Sequence, residues 1–398
     1  MSRVSISEKQ LGLVGGIMVA LGPLSVAIYT PALPTIVADF GTSDAAGKLT
    51  ISVFYIGLAL GQLVCGLLAD GLGRRNVALG FFTLYVIGAV GCLFAPSIEA
   101  LIVARAVQGT GAAAGLVISR ALVRDLFSGQ ASSRILNMMA IIIASGPAFA
   151  PAFGSVMLLF GDHQLPFATM VAHGVLTLAL VLIFIPEAVA VDLSRIRPLA
   201  MTRSMLILLR SRDFMWPALC TAGCAGAIYG QASILPFLLI TQVGVSPQIF
   251  GAGMFLQSGV YMLASMWTRF LMRSIPAEKL VPWGAGMVLM AAVALLYGTL
   301  IAEPSFWSVM LPVAFYAFGY AHAAPAVMTA AFASHPDRAG AASALHGFMQ
   351  IGIGFSIGLL ASVFSTPSTA MGVLIGLSIV AGAGFALAWS RVNNHKVA

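Results

Sequence analysis

Long uncharged apolar runs, broken at intervals by short polar clusters, organise the whole chain. Stretches without Asp, Glu, Lys or Arg lie between Lys9 and Asp39, Lys48 and Asp70, Arg75 and Glu99, Arg134 and Asp162, and Asp162 and Glu187. Each is long enough for one membrane-spanning helix, which takes about 20 apolar residues. The gaps from Asp213 to Arg269 and from Arg338 to Arg391 are about twice that length, and each reads as two spans joined by a short uncharged loop. Segments after Glu99, around 281–302 and around 306–332 complete the set. The pattern predicts about twelve helices, at roughly 11–30, 49–69, 77–95, 100–120, 135–160, 166–186, 214–241, 249–270, 281–302, 306–332, 342–364 and 368–390. Outer-membrane strands would instead alternate polarity over about ten residues. Runs such as 176–185 (LTLALVLIFI) do not alternate. The expected fold class is an all-α polytopic membrane protein.

Composition sharpens this reading. Of 398 residues, 60% are hydrophobic and only 8% charged, against about 25% charged in soluble domains. Thirteen acids and twenty bases are too few to cover a soluble surface of this size. That excludes an ordinary soluble enzyme, a nucleic-acid binder and a disordered chain. The net charge of +7 fits cytoplasmic loops, which are rich in Lys and Arg. With the N-terminus inside, the cytoplasmic loops hold Arg74 and Arg75; Arg120, Arg124 and Arg134; Arg195 through Arg212; Arg269, Arg273 and Lys279; and Arg338. The external loops then hold only Lys48. Both termini are expected in the cytoplasm, in a multi-pass protein of the inner membrane. The first apolar run is long for a signal peptide and has no obvious cleavage site, so it is expected to be retained. Cys65, Cys92, Cys220 and Cys224 all lie in apolar runs without metal-ligand spacing.

The longest polar segment, 187–213, carries five arginines. It divides the chain into a first six-helix half at 1–186 and a second at 214–398, with a cytoplasmic linker between them. Two halves of equal span count suit a secondary transporter, whose site lies near the bilayer midplane.

Several motifs carry candidate chemistry. The loop after the second span reads Gly66-x-x-x-Asp70-x-x-Gly73-Arg74-Arg75. The fourth span reads Arg105-x-x-Gln108-Gly109-x-Gly111 and ends near Arg124-Asp125. Arg105 is the one charged side chain expected well inside the membrane, where a charge is costly and is a functional hypothesis by default. Arg105 and Gln108 share a helix face. Candidate partners for the guanidinium are carbonyls near Pro23 or Pro147, the Gln62 and Gln108 amides, or the substrate. The fifth span carries Gly146-Pro147 and Pro151, with Gly154 beyond, and the two prolines are expected to bend it. Tyr29, Tyr55, Gln62, Gln231 and Gln257 are candidate cavity residues, and helix–helix hydrogen bonding is an equal alternative for each.

The loop motif, the RxxQGxG run and the Gly-Pro pair together resemble the major facilitator superfamily. The first-span ending Tyr29-Thr-Pro-Ala-Leu-Pro34, with Arg124-Asp125, is similar to the twelve-span drug:proton antiporters of the bicyclomycin-resistance subfamily. The resemblance implies two six-helix halves around a central cavity and alternating access. It implies a gating role for the loop motif and Asp125, and the Gly146-Pro147 motif favours antiport. Two departures stand out. Gly71 replaces the usual basic residue of the loop, and Ala27 replaces an aspartate usual in the first span. No Asp or Glu falls inside a predicted span, so coupling must use His173 or His322, with His346 nearer the cytoplasmic side, use acids at span ends such as Asp39, or be absent. No HExxH, GxSxG or Walker loop is present. The expectation is a non-enzymatic secondary efflux transporter for small hydrophobic or amphipathic compounds, as in antibiotic resistance, coupled to protons. An uncoupled or anion-selective carrier is the alternative. Expected partners are a small-molecule substrate, protons and the lipid bilayer, with no nucleic acid, cofactor or metal, and the chain is expected to act as a monomer.

Overall fold

The computed structural model describes residues 6–127, 129–161, 163–185, 198–335 and 338–397, without the side chains of some helical positions, Asp70 and Pro147 among them. The described residues are helical throughout, with short connections. Ten helical segments are long and apolar enough to cross a membrane. Two more, α6 (Gly129–Met157) and α12 (Phe306–Ala333), have 29 and 28 residues. At 1.5 Å per residue both exceed the roughly 30 Å hydrocarbon thickness. Contacts divide the chain into two compact units, Met1–Pro198 and Leu199–Ala398.

The first unit begins with α1 (Glu8–Ala27), capped by Ser7. Pro31 lacks the N–H that would bond the Ala27 carbonyl, so α1 stops there. One 3₁₀ turn, Thr30–Ala32, leads into α2 (Leu33–Asp39), and each of these two short pieces carries a proline at its start. The predicted first span is thus longer than 11–30 and broken at the Tyr-Thr-Pro-Ala-Leu-Pro motif. Thr30 repairs part of the break by donating Oγ1 to the Val26 carbonyl at 2.7 Å. There follow α3 (Asp44–Leu72), α4 (Arg74–Leu93), α5 (Ile98–Leu126), α6 and α7 (Gln164–Phe184). Gly73, at φ +89°, makes the sharp turn between α3 and α4. L-residues rarely adopt that conformation, which explains glycine at this point of the loop motif.

Helix α5 is the hub of this unit. A Cβ on Gly109 would lie 2.1 Å from the Phe54 carbonyl oxygen of α3, one on Gly111 2.2 Å from the Tyr85 nitrogen of α4, and one on Gly115 2.1 Å from the Met18 carbonyl oxygen of α1. The glycine run therefore lets three helices approach α5 backbone to backbone. Helix α6 runs unbroken through Pro147 and Pro151.

The second unit opens with α8 (Pro198–Arg210), a helix inside the predicted linker. It continues through α9 (Arg212–Pro236), α10 (Pro247–Leu271), α11 (Ala277–Leu296), α12, α13 (Ala339–Leu360), α14 (Pro367–Ala370) and α15 (Gly376–Val397). π-helical turns extend α9 (Phe237–Gln242) and α11 (Tyr297–Ile301) and join α14 to α15 (Met371–Ile375). The apolar core runs through α9, α11, α12 and α15.

Lys48 corrects the expected loop assignment. It sits in the second turn of α3, not in an external loop, and is only 4% exposed. Ser43 caps the helix five residues before it, so the helix begins ahead of the charge that precedes the predicted span.

Candidate functional site

Ser97 caps α5 by accepting the Ala100 N–H at 3.3 Å. Two turns further, Arg105 is fully buried. Its Nη1 donates to Gln108 Oε1 at 2.7 Å, one helical turn along the same face, and to the Ser25 carbonyl at 3.3 Å. That carbonyl belongs to the last turn of α1, just before the proline break. The guanidinium carbon lies 4.4 Å from the Phe54 ring centroid and 4.7 Å from that of Tyr29. Arg105 Nε and Nη2 are buried without a hydrogen-bond partner, and no ion pair reaches Arg105 among the described residues. Desolvated cation–π contacts contribute about 2 kcal/mol each. Each unfilled buried donor costs about 1–3 kcal/mol. The cation is held, but two of its three nitrogens are left with spare donors.

The surrounding polar groups come from other helices. Gln108 Nε2 points to the Met170 sulfur of α7 at 3.3 Å, and Cys92 Sγ lies 3.7 Å from Gln108 Oε1. Ser25 donates Oγ to the Leu21 carbonyl at 2.6 Å, so Tyr85 is the donor in its 2.6 Å bond to Ser25. Likewise Thr50 donates to the Gly47 carbonyl at 2.6 Å, and Tyr29 donates to Thr50 at 2.7 Å. Tyr29 also packs on Phe167, centroid to centroid 5.2 Å. Of the guanidinium partners considered from the sequence, Gln108 and a carbonyl of α1 are present, two residues past Pro23. Gln62 is buried on α3 but is not among the groups bonded to Arg105. Tyr55 is buried with its ring 6.3 Å from Phe54.

The loop motif closes one end of the first unit. Arg74 donates Nε to Asp125 Oδ2 at 3.0 Å, and Arg124 Nε approaches Asp125 Oδ1 at 3.7 Å. Arg75 donates Nη2 to the Leu182 carbonyl of α7 at 2.9 Å. Gly66 lies against Val117 of α5. The Asp70 side chain lies outside the described residues. At the same end Arg134 holds Glu8 through a bidentate pair at 2.9–3.1 Å. At the other end His163 Nδ1 meets Asp39 Oδ2 at 2.6 Å, with Phe40 beside the ring at 5.8 Å.

The histidines occupy helix seams. His173 Nε2 bonds the Ile17 carbonyl of α1 at 3.0 Å. His322 Nδ1 bonds the Phe318 carbonyl one turn back at 2.9 Å, and its Cβ faces Gly284 of α11. His346 Nε2 meets the Thr221 hydroxyl of α9 at 2.7 Å and stands edge-on to Phe332. In the Gly-Pro motif of α6 Gly146 faces Pro23, Gly154 faces the Ile28 carbonyl, and the Pro151 carbonyl accepts from Ser155 at 2.7 Å. The Pro147 side chain lies outside the described residues. In the second unit Gln231 donates Nε2 to Gln257 Oε1 at 3.0 Å, while Gln231 Oε1 is buried without a partner.

Sequence reasoning missed Ser25, Phe54, Tyr85, Met170 and the Asp39–His163 pair. Tyr85 had a signal, as the only tyrosine in the Arg75–Glu99 run. Met170 and Phe54 had none, because apolar residues in apolar helices carry no mark.

Two units built of membrane-length helices define an all-α polytopic membrane protein. The chain belongs to the Major Facilitator Superfamily, whose sequence profile matches residues 15–359. It is 29% identical to the uncharacterized MFS-type transporter YdgK of Bacillus subtilis (strain 168), over 96% of each chain. It is 28% identical to the multidrug resistance protein MdtL of Citrobacter koseri, over 91% of this chain and 92% of that one. Among solved structures, a D-xylose-proton symporter superposes with a TM-score of 0.73 at 16% identity, covering 95% of this chain and 97% of that one. The shared fold with the symporter, at this identity, concerns architecture alone. The protein is therefore a multi-pass membrane transporter of this superfamily, acting on a small molecule.

Proposed function

We propose that this transporter exports small hydrophobic or amphipathic compounds from the cytoplasm by proton-coupled alternating access. The observation that carries the reading is Arg105, with buried Nε and Nη2 donors unfilled beside the faces of Tyr29 and Phe54. Such a place takes an apolar or aromatic body against the rings and an acceptor atom on the guanidinium. Gln108, Tyr55 and Gln62 are the further substrate contacts of this proposal in the first unit, and Gln231 and Gln257 are candidate substrate contacts of the second unit by itself. The relatives named for multidrug resistance support export, at 28% identity, as does the Gly146-Pro147-x-x-x-Pro151-x-x-Gly154 motif. Asp70, Arg74, Arg75, Arg124 and Asp125 act as the cytoplasmic gate. The working unit is a monomer of the inner membrane, with halves 1–186 and 214–398 and both termini in the cytoplasm.

His173 and His322 carry the proton in this scheme. Each ring nitrogen that faces a carbonyl must be an N–H donor, which leaves the other nitrogen to gain and lose a proton. The test is transport of a fluorescent amphipathic dye in proteoliposomes with an imposed pH gradient. Gradient-driven accumulation by the native protein, and its loss with downhill flux retained in the His173→Gln/His322→Phe variant, is the expected result. Unchanged pH-driven accumulation in that variant would remove the histidines from the cycle.

A second reading, an anion-selective carrier without proton coupling, is favoured by the absence of any ion-pair partner for Arg105 among the described residues. It predicts flux that ignores the pH gradient and is inhibited by organic anions.

A further inference from the structure

Helix α8 has two unlike sides. Leu208 is fully buried in a small cluster with Phe214, Ala218, Ala331, Ala342 and Leu345, which docks α8 onto α9, α12 and α13. At 100° per residue, Leu199, Arg203, Leu206 and Arg210 fall together on the opposite side, with Leu209 at its margin. These leucines are open: Leu199 is 83% exposed and Leu206 50%. Arg203, Arg210 and the following Arg212 are exposed too, and make no ion pair among the described residues. No acid occurs from 198 to 212, and Arg195 and Arg197 precede the helix in sequence. The helix is tied closely to the bilayer, since α9 begins two residues after it ends.

Exposed leucines interleaved with unpaired arginines suit neither bulk water nor a protein core. They suit the boundary between acyl chains and headgroups, where leucines enter the hydrocarbon and arginines meet phosphate. We propose that the α8 face of Leu199, Arg203, Leu206 and Arg210, with Arg212, binds anionic phospholipid headgroups of the leaflet on the linker side. Charge complementarity commits the site to anionic lipid. Zwitterionic headgroups offer the same phosphate without net charge, whereas each arginine near an anionic surface gains about fivefold in partition. The binding pins α8, at the start of the second unit, to the membrane surface.

The test uses the full chain with a fluorophore on Thr202→Cys, which borders the face; the four native cysteines are buried. The labelled protein is reconstituted in phosphatidylcholine vesicles containing nitroxide-labelled phosphatidylglycerol or nitroxide-labelled phosphatidylcholine. Stronger quenching by phosphatidylglycerol, weakened by added salt, is expected. Arg203→Gln/Arg210→Gln/Arg212→Gln should abolish the preference while leaving quenching by phosphatidylcholine. Leu199→Ser/Leu206→Ser should lower quenching by both lipids. Equal quenching by the two lipids in the native protein, or a preference that survives the triple substitution, overturns the proposal. Absence of quenching by either lipid overturns it as well, and assigns the face to the preceding linker or to a second copy.

Discussion

At the scale of single residues, Arg105 concentrates the chemistry of the first unit. Its Nη1 serves acceptors on three helices at once, Gln108 Oε1, the Ser25 carbonyl and the Met170 sulfur, while the Nε and Nη2 donors are unfilled. An ammonium could also serve several acceptors, but it lacks the planar fork that aims the Nε and Nη2 donors in fixed directions. Arg105→Lys is therefore expected to lower dye transport by about tenfold or more, the worth of one charge-assisted hydrogen bond, and nearly as far as Arg105→Ala. Flux assays in proteoliposomes, at matched protein incorporation, would measure this. Wild-type flux in the lysine variant would mean that charge alone matters. The sequence made half of this site legible. Arg105 and Gln108 stand one turn apart on one helix, a relation that residue spacing states directly. Ser25, Tyr85 and Met170 arrive from α1, α4 and α7, and one chain read alone carries no record of which helices meet. Lys48 shows the complementary error: a charge just ahead of an apolar run suggests a loop, although Ser43 begins the helix before it.

At the scale of elements, glycines decide how near the helices come. Spans were legible because uncharged runs of membrane length have few alternatives. The proline motif marks the expected end of the first span, whereas the structure breaks there and continues through α2 to Asp39, a continuation that the same prolines hide. The π-helical turns at the ends of α9 and α11, which lie beside α14, had no sequence signal. Gly109 tests the packing most directly. Its missing Cβ would lie 2.1 Å from a backbone oxygen of α3, and backbone cannot rotate away as a side chain can. Gly109→Ala must push α3 from α5 and move Phe54, which stacks on Arg105. Overpacking of this kind costs about 1–3 kcal/mol. A lower Tm in detergent, together with weaker dye binding, is the expected outcome. An unchanged Tm would show that the two helices tolerate separation.

At the scale of the whole molecule, ion pairs sort the ends of the first unit. Glu8 at the start of α1 holds Arg134 near the start of α6. Asp39 at the end of α2 holds His163 just beyond the end of α6. The first span and α6 therefore run side by side in the same direction. The loop-motif pair Arg74–Asp125 belongs with Glu8 and Arg134, because α3 and α5 both run back from the Asp39 end while α4 runs toward it. The arginine-rich end should face the cytoplasm, since loops dense in Lys and Arg are retained there during insertion. Two exposed positions test this without disturbing a pair: Lys9, beside Glu8, and Gly161, beside His163. With all four native cysteines buried, a membrane-impermeant maleimide should label Gly161→Cys in intact cells and reach Lys9→Cys only after the membrane is opened. Labelling of Lys9→Cys from outside would invert the topology. It would place the Arg74–Asp125 pair at the outer mouth, where it would gate entry from outside, and the export direction would fall with it.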